Sequence, residues 1–255
     1  PWWNASYDYR RKITFDNSAQ TTNTLTDFPV LITLSASNFD FAAAMTNGED
    51  VRFVDSNDTD ALSYEFARWD SAGESALVWV KVPSIPAGST TDFIYVYYDK
   101  PGETDAQNAT DVWSNGYAGV WHLDEDSGTL VDASPNPNDA VEATGSAVTY
   151  NVTGRVGEGV QFAVPTDGLK APDDNSLDLT TTITLEAWLY PTADTDHEMR
   201  VISKRRGTSQ CNYGMFYGNT AGTNDLVFRA NDGTGDTQTS NTDDNGGSAM
   251  ADDTF

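Results

Sequence analysis

From residue 51 to residue 98 the chain is a series of short runs in which apolar and polar side chains alternate, and this restricts its fold more than any other feature. Residues 51–55, 62–69, 76–82 and 92–98 each repeat every two residues, the period that sends successive side chains to opposite faces of a β-strand. Turn-forming clusters at Asn47-Gly48, Asp55 to Asp60, Asp70 to Gly73 and Pro83 to Thr90 separate the runs. Strands this short and this closely joined predict an antiparallel sandwich, not a parallel sheet with helical crossovers. Two more strands are expected upstream. In residues 1–15, Tyr7, Tyr9, Arg11 and Ile13 fall on one side, with Asp8, Arg10, Lys12 and Thr14 on the other. Residues 28–34 carry Pro29 as their second residue, which a strand tolerates near its start. The alanine triplet within 39–45 predicts a helical turn capped by Asp40.

The same region carries motifs in a fixed order: Trp3 before Tyr7-Asp-Tyr-Arg-Arg-Lys-Ile-Thr14, then Leu25-Thr-Asp-Phe-Pro-Val-Leu31, Asn38-Phe-Asp40, Glu49-Asp-Val-Arg-Phe-Val-Asp55, Leu62-Ser-Tyr-Glu65 and Val78-Trp-Val-Lys-Val-Pro83. On these motifs residues 1–98 resemble the DUF2341 domain of secreted and envelope proteins. The resemblance implies an architecture and a compartment, and it brings no catalytic residues.

Residues 99–116 are rich in Asp, Asn, Gly and Thr and read as a short linker, with a turn at Pro101-Gly102 and an anchor at Val112-Trp113. A short apolar strand is expected at 117–123. Beyond the linker stand Gly119-Val-Trp-His-Leu123, the loop Asp132-Ala-Ser-Pro-Asn-Pro-Asn-Asp139, Gly154-Arg-Val-Gly-Glu-Gly-Val-Gln-Phe162, Pro172-Asp-Asp-Asn-Ser-Leu177 and Ile183-Thr-Leu-Glu-Ala-Trp-Leu-Tyr-Pro191. These resemble a laminin G-like, concanavalin A-like jelly roll over residues 117–255. Ala163-Val164 stands where that family usually has an Asp-Gly pair. The expected fold class is therefore all-β: two antiparallel β-sandwich domains, 1–98 and 117–255, the second a jelly roll. Residues 226–229 read as a strand, 231–247 as a Gly-Asp-Asn-Thr tract and 253–255 as the lead-in to another strand. The second domain is thus expected to be truncated, with an open sheet edge that a second copy could complete as a homo-oligomer.

With 14 basic and 39 acidic residues the formal charge is −25, which repels phosphate polymers and anionic lipid and excludes nucleic acid as a partner. The acidity suits a saline or calcium-rich setting. No apolar run approaches the roughly 18 residues of a membrane helix, so no span is expected. The single cysteine, Cys211, allows no internal disulfide. A first residue Pro1 fits a mature terminus left by signal removal, hence an extracellular, cell-surface or periplasmic location. Asn4, Asn57, Asn108 and Asn151 each have Ser or Thr two residues on, the glycosylation sequon.

Candidate ligand residues lie mostly in the second half. Along 183–190, Ile183, Leu185, Ala187 and Leu189 fall on one strand face and Thr184, Glu186, Trp188 and Tyr190 on the other. Aromatic rings on that second face can stack on a sugar's C–H surface while Glu186 accepts from its hydroxyls, and His122 is a further candidate. Asp132, Asn136, Asn138 and Asp139, with Asp124, offer hard oxygens for calcium, though the same residue types build plain turns. The jelly-roll resemblance implies carbohydrate or protein binding, often with calcium.

Catalysis is not expected. Retaining glycosidases need two carboxylates about 5 Å apart, and Thr184, Trp188 and Tyr190 occupy the positions that would carry a second acid beside Glu186. The only histidines, His122 and His197, and the lone Cys211 lie in no nucleophile signature. The expected function is a non-catalytic module for adhesion or binding, recognising glycans or a surface partner. A structural subunit of a surface filament or layer is the alternative. Because DUF2341 domains sometimes precede ExbB-type proton-channel subunits, an extracytoplasmic sensor is another.

Overall fold

The structure is a computed structural model that describes residues 2–164, 166–192, 199–206, 210–218, 225–231 and 236–240. Seven strands build the first sandwich: β1 (Tyr9–Thr14), β2 (Leu25–Ser35), β3 (Arg52–Asp55), β4 (Ala61–Leu62), β5 (Tyr64–Asp70), β6 (Ser75–Ile85) and β7 (Phe93–Tyr98). They pair antiparallel into two sheets, ordered β1-β7-β3-β4 and β2-β6-β5. Each alternating run from 51 to 98 is a strand, with one refinement: 62–69 is divided at Ser63. Leu62 pairs with Phe53 in the first sheet, whereas Tyr64 pairs with Val80 in the second.

The inward-facing residues of both sheets, among them Ile32, Phe53, Tyr64, Val78, Val80, Ile94 and Val96, form one core in which each is at most 6% exposed. At roughly 1.5–3 kcal/mol for each large apolar side chain, this burial holds the sandwich together. Ile13 packs against the core, while Arg10 and Lys12 on the opposite face of β1 lie over Tyr95 and Phe93. Residues 39–45 make the expected single turn. Asp40 caps it by accepting from the Ala42 amide at 3.1 Å, and Phe39 and Phe41 plug the end of the core.

Residues 99–116 are not a bare linker. Asn108 caps a short helix, α1 (Ala109–Val112), by accepting from the Asp111 amide at 3.1 Å. Val112, Trp113 and Ala133 bury themselves with Tyr117 and Val120 against Trp79 of β6, whose side chain points away from the core that Val78 and Val80 enter. The strand expected at 117–123 is reduced to a single bridge between Trp121 and Asp132.

The chain divides into two compact units, 1–161 with 168–172, and 162–167 with 173–255. The first therefore reaches past the boundary expected at 117, and Ala109, Val112, Trp113, Tyr117, Val120 and Ala133 pack with Trp79 of β6. It also contains two small ladders: β8 (Val141–Glu142) with β11 (Leu169–Lys170), and β9 (Thr149–Thr153) with β10 (Glu158–Gln161). In the second unit a 3-10 turn, Asn175–Leu177, is capped by Asp174. There β12 (Met199–Arg206), β13 (Gln210–Gly218), β14 (Asp225–Asn231) and β15 (Asp236–Ser240) form an antiparallel sheet in chain order, with Tyr213, Met215, Phe216 and Tyr217 buried. The strand expected at 226–229 lies within β14. His197 and residues 253–255 lie outside the described residues.

Candidate functional site

The segment 183–190 joins no strand ladder among the described residues, yet its side chains alternate nearly as expected. Ile183, Leu185 and Leu189 are half-buried, and Thr184, Glu186, Trp188 and Tyr190 are exposed. Ala187 departs from the pattern, being exposed as well. Trp188 is 68% and Tyr190 47% exposed. Glu186, Trp188 and Tyr190 are therefore exposed side chains at alternate positions of one segment, a row in sequence. Such a row can stack on an apolar ring face and accept hydrogen bonds at its edge.

His122 belongs to the first unit, whereas residues 183–190 belong to the second. Its Nε2 lies 2.8 Å from Oε1 of Glu65, which also accepts from the indole N–H of Trp113, and the His122 and Trp113 rings are 5.6 Å apart. Glu65 is 7% exposed and points outward from β5, opposite Tyr64 in the core. Burial pulls His122 toward its neutral form. The hydrogen bond and charge of Glu65, aided by Asp124 and Glu125, outweigh that and raise its pKa above the usual value. His122 is therefore a packing residue with a dedicated carboxylate, and no signal local to either residue announces the pair.

The acidic loop is closed by its own hydrogen bonds. Asp132 accepts from the amides of Val120 (2.8 Å), Ser134 (2.9 Å) and Asn138 (3.2 Å), and Asp139 accepts from the Asp132 amide at 2.9 Å. Asn136 and Asn138 donate to the carbonyls of Tyr117 and Ala118. Asp124 acts instead on His122. Among the described residues no three His, Cys, Asp or Glu side chains gather as a metal would need, and oxygens already committed to loop amides are poor ligands for calcium. Of the sequons, Asn57, Asn108 and Asn151 are exposed and Asn4 half-buried. Asn108 is occupied as the α1 cap and Asn57 by Thr59 and Asp60.

An all-β chain with a sandwich in front and a separate sheet unit behind defines a class, and comparison with known families gives it names. Residues 47–136 match the domain of unknown function DUF2341, and residues 163–251 match the concanavalin A-like lectin/glucanases superfamily. The two matches follow one another in the order that the motifs led us to expect, and each covers about a third of the chain. No curated protein and no solved structure matches it. Domains of the second type are typically non-catalytic binding modules for carbohydrate or protein and are commonly extracellular. No helix among the described residues is long and apolar enough to cross a membrane.

Proposed function

We propose that the protein is a non-catalytic extracellular adhesion module whose second unit recognises glycans through the row Glu186, Trp188 and Tyr190. The observation that carries this reading is the 68% exposure of Trp188. Leaving a large indole in water forgoes a burial worth about 2 kcal/mol, and a ring so presented beside a tyrosine and a carboxylate matches what sugar stacking requires. The same row carries no second acid near Glu186 with which to cleave a glycosidic bond. The test is a glycan array probed with the whole chain and with Trp188→Ala. The variant should lose about 10-fold in apparent affinity, about 1.4 kcal/mol, with an unchanged far-ultraviolet CD spectrum. An array on which the wild type and the variant behave alike removes the site.

A further inference from the structure

The first unit holds a cleft of about 180 Å³ to which β2, β4, β6 and α1 all contribute. Ala61 and Pro83, with the edge of the core residue Leu62, supply its apolar lining, and Asp27, Ser63, Lys81 and Asp111 its polar lining. Most of these polar groups satisfy one another. The Ser63 hydroxyl donates to Asp111 Oδ2 at 2.5 Å, and Lys81 Nζ donates to Ser114 Oγ at 2.8 Å and to Asp111 Oδ1 at 3.4 Å. An ammonium has three N–H donors, so one remains.

Asp27 is different. It lies inside the 11-residue strand β2, between the pairs Thr26–Ser84 and Phe28–Val82, yet its φ is +46°. An L-residue in that region is strained by roughly 1–2 kcal/mol, a strain that glycine escapes. Asn115 clamps the distorted backbone through the carbonyls of Thr26 and Asp27. The Asp58 carboxylate, also at positive φ, is held by Arg10 and Tyr97. By contrast, no hydrogen bond or ion pair to the Asp27 carboxylate occurs among the described residues. A non-glycine residue kept under strain in a strand, with its side chain unspent and lining a cleft, is the pattern of a ligand site.

The lining chooses the ligand. Lys81 repels a metal cation, and Asp27 with Asp111 repels an anion. What remains is a neutral molecule with both donors and acceptors and one apolar face, too small to need more than the 180 Å³ available. We infer that this cleft binds a single neutral sugar ring, whose hydroxyls donate to Asp27 and accept from Lys81 while its C–H face lies on Ala61 and Pro83. The site is in the first unit and stands independently of the Trp188 row.

The test is saturation-transfer NMR and titration calorimetry on the whole chain with glucose, galactose, mannose and N-acetylglucosamine. At least one should bind in the millimolar range. Asp27→Asn and Lys81→Met should each weaken it roughly 10-fold, and Trp188→Ala should leave it unchanged. Asp27→Gly should abolish binding while raising Tm, because the substitution relieves the backbone as it deletes the carboxylate. Failure of all four sugars to bind, wild-type affinity in Asp27→Asn, or loss of the signal in Trp188→Ala would each overturn the assignment.

Discussion

Glu65 and His122, 57 residues apart in sequence, meet with Oε1 and Nε2 2.8 Å from each other on the outer face of the second sheet. Trp113 donates to the same oxygen. One carboxylate thus fastens two separate parts of the 109–140 segment to the sandwich.

Removing that carboxylate leaves a buried indole N–H and an imidazole without their acceptor. Glu65→Ala should therefore cost about 2–3 kcal/mol in urea unfolding monitored by tryptophan fluorescence. A loss below 0.5 kcal/mol, the ordinary scatter of surface substitutions, would show that apolar packing of Trp113 on Trp79 suffices.

The raised pKa of His122 gives its pair a defined pH window. The pair's contribution is fully present below the unfolded value near 6.5 and is lost as pH rises through the folded one. Unfolding free energies measured from about pH 5.5 to about pH 8.5 should fall more steeply for the wild type than for His122→Gln. Parallel curves would mean that the pair does not titrate in this window.

Asp58 works in the opposite sense. Burial raises its pKa, but hydrogen bonds from Tyr97 and Arg10 and the Arg10 charge outweigh burial and hold it below the usual carboxylate value. Its contribution is present above the unfolded pKa near 3.9 and is lost as pH falls through the folded one. Acid titrations followed by near-ultraviolet CD should show a shallower low-pH limb in Asp58→Asn. The signal should also report Trp2, because Arg10 lies 5.0 Å from that ring.

Gly48 has φ +73°, and a Cβ there would come within 2.9 Å of the Phe66 ring. Gly48→Ala combines left-handed strain with a clash against a partly buried aromatic, so a loss of about 2–3 kcal/mol is expected. Calorimetry should register a clear fall in Tm, and an unchanged Tm would mean that Phe66 yields freely.

The two halves were not equally legible. Alternation in residues 51–98 forecast where the strands of that stretch lie, since the period depends only on neighbouring residues, though not that the run 62–69 is two strands. Alternation in 183–190 forecast which side chains are exposed, Ala187 apart, but not that the segment joins no ladder among the described residues, because pairing needs a partner strand that a single segment cannot specify. The Asp132–Asp139 loop looked like a set of ion ligands. In the structure both carboxylate oxygens of Asp132 accept from the amides of Val120, Ser134 and Asn138, bonds invisible in a list of residue types.

By itself the amino-acid order determined the all-β character, the positions of the strands in the first sandwich, and the acidic surface, all of which follow from local periodicity and summed charge. Only the tertiary structure decided that residues 62–69 divide between two sheets, that 109–140 belong to the first unit, and that Glu65, Trp113 and His122 share one hydrogen-bonded cluster. These are encounters between residues far apart along the chain. They arise when apolar faces close over one another and leave each buried polar group to find whichever partner the packing has brought within reach.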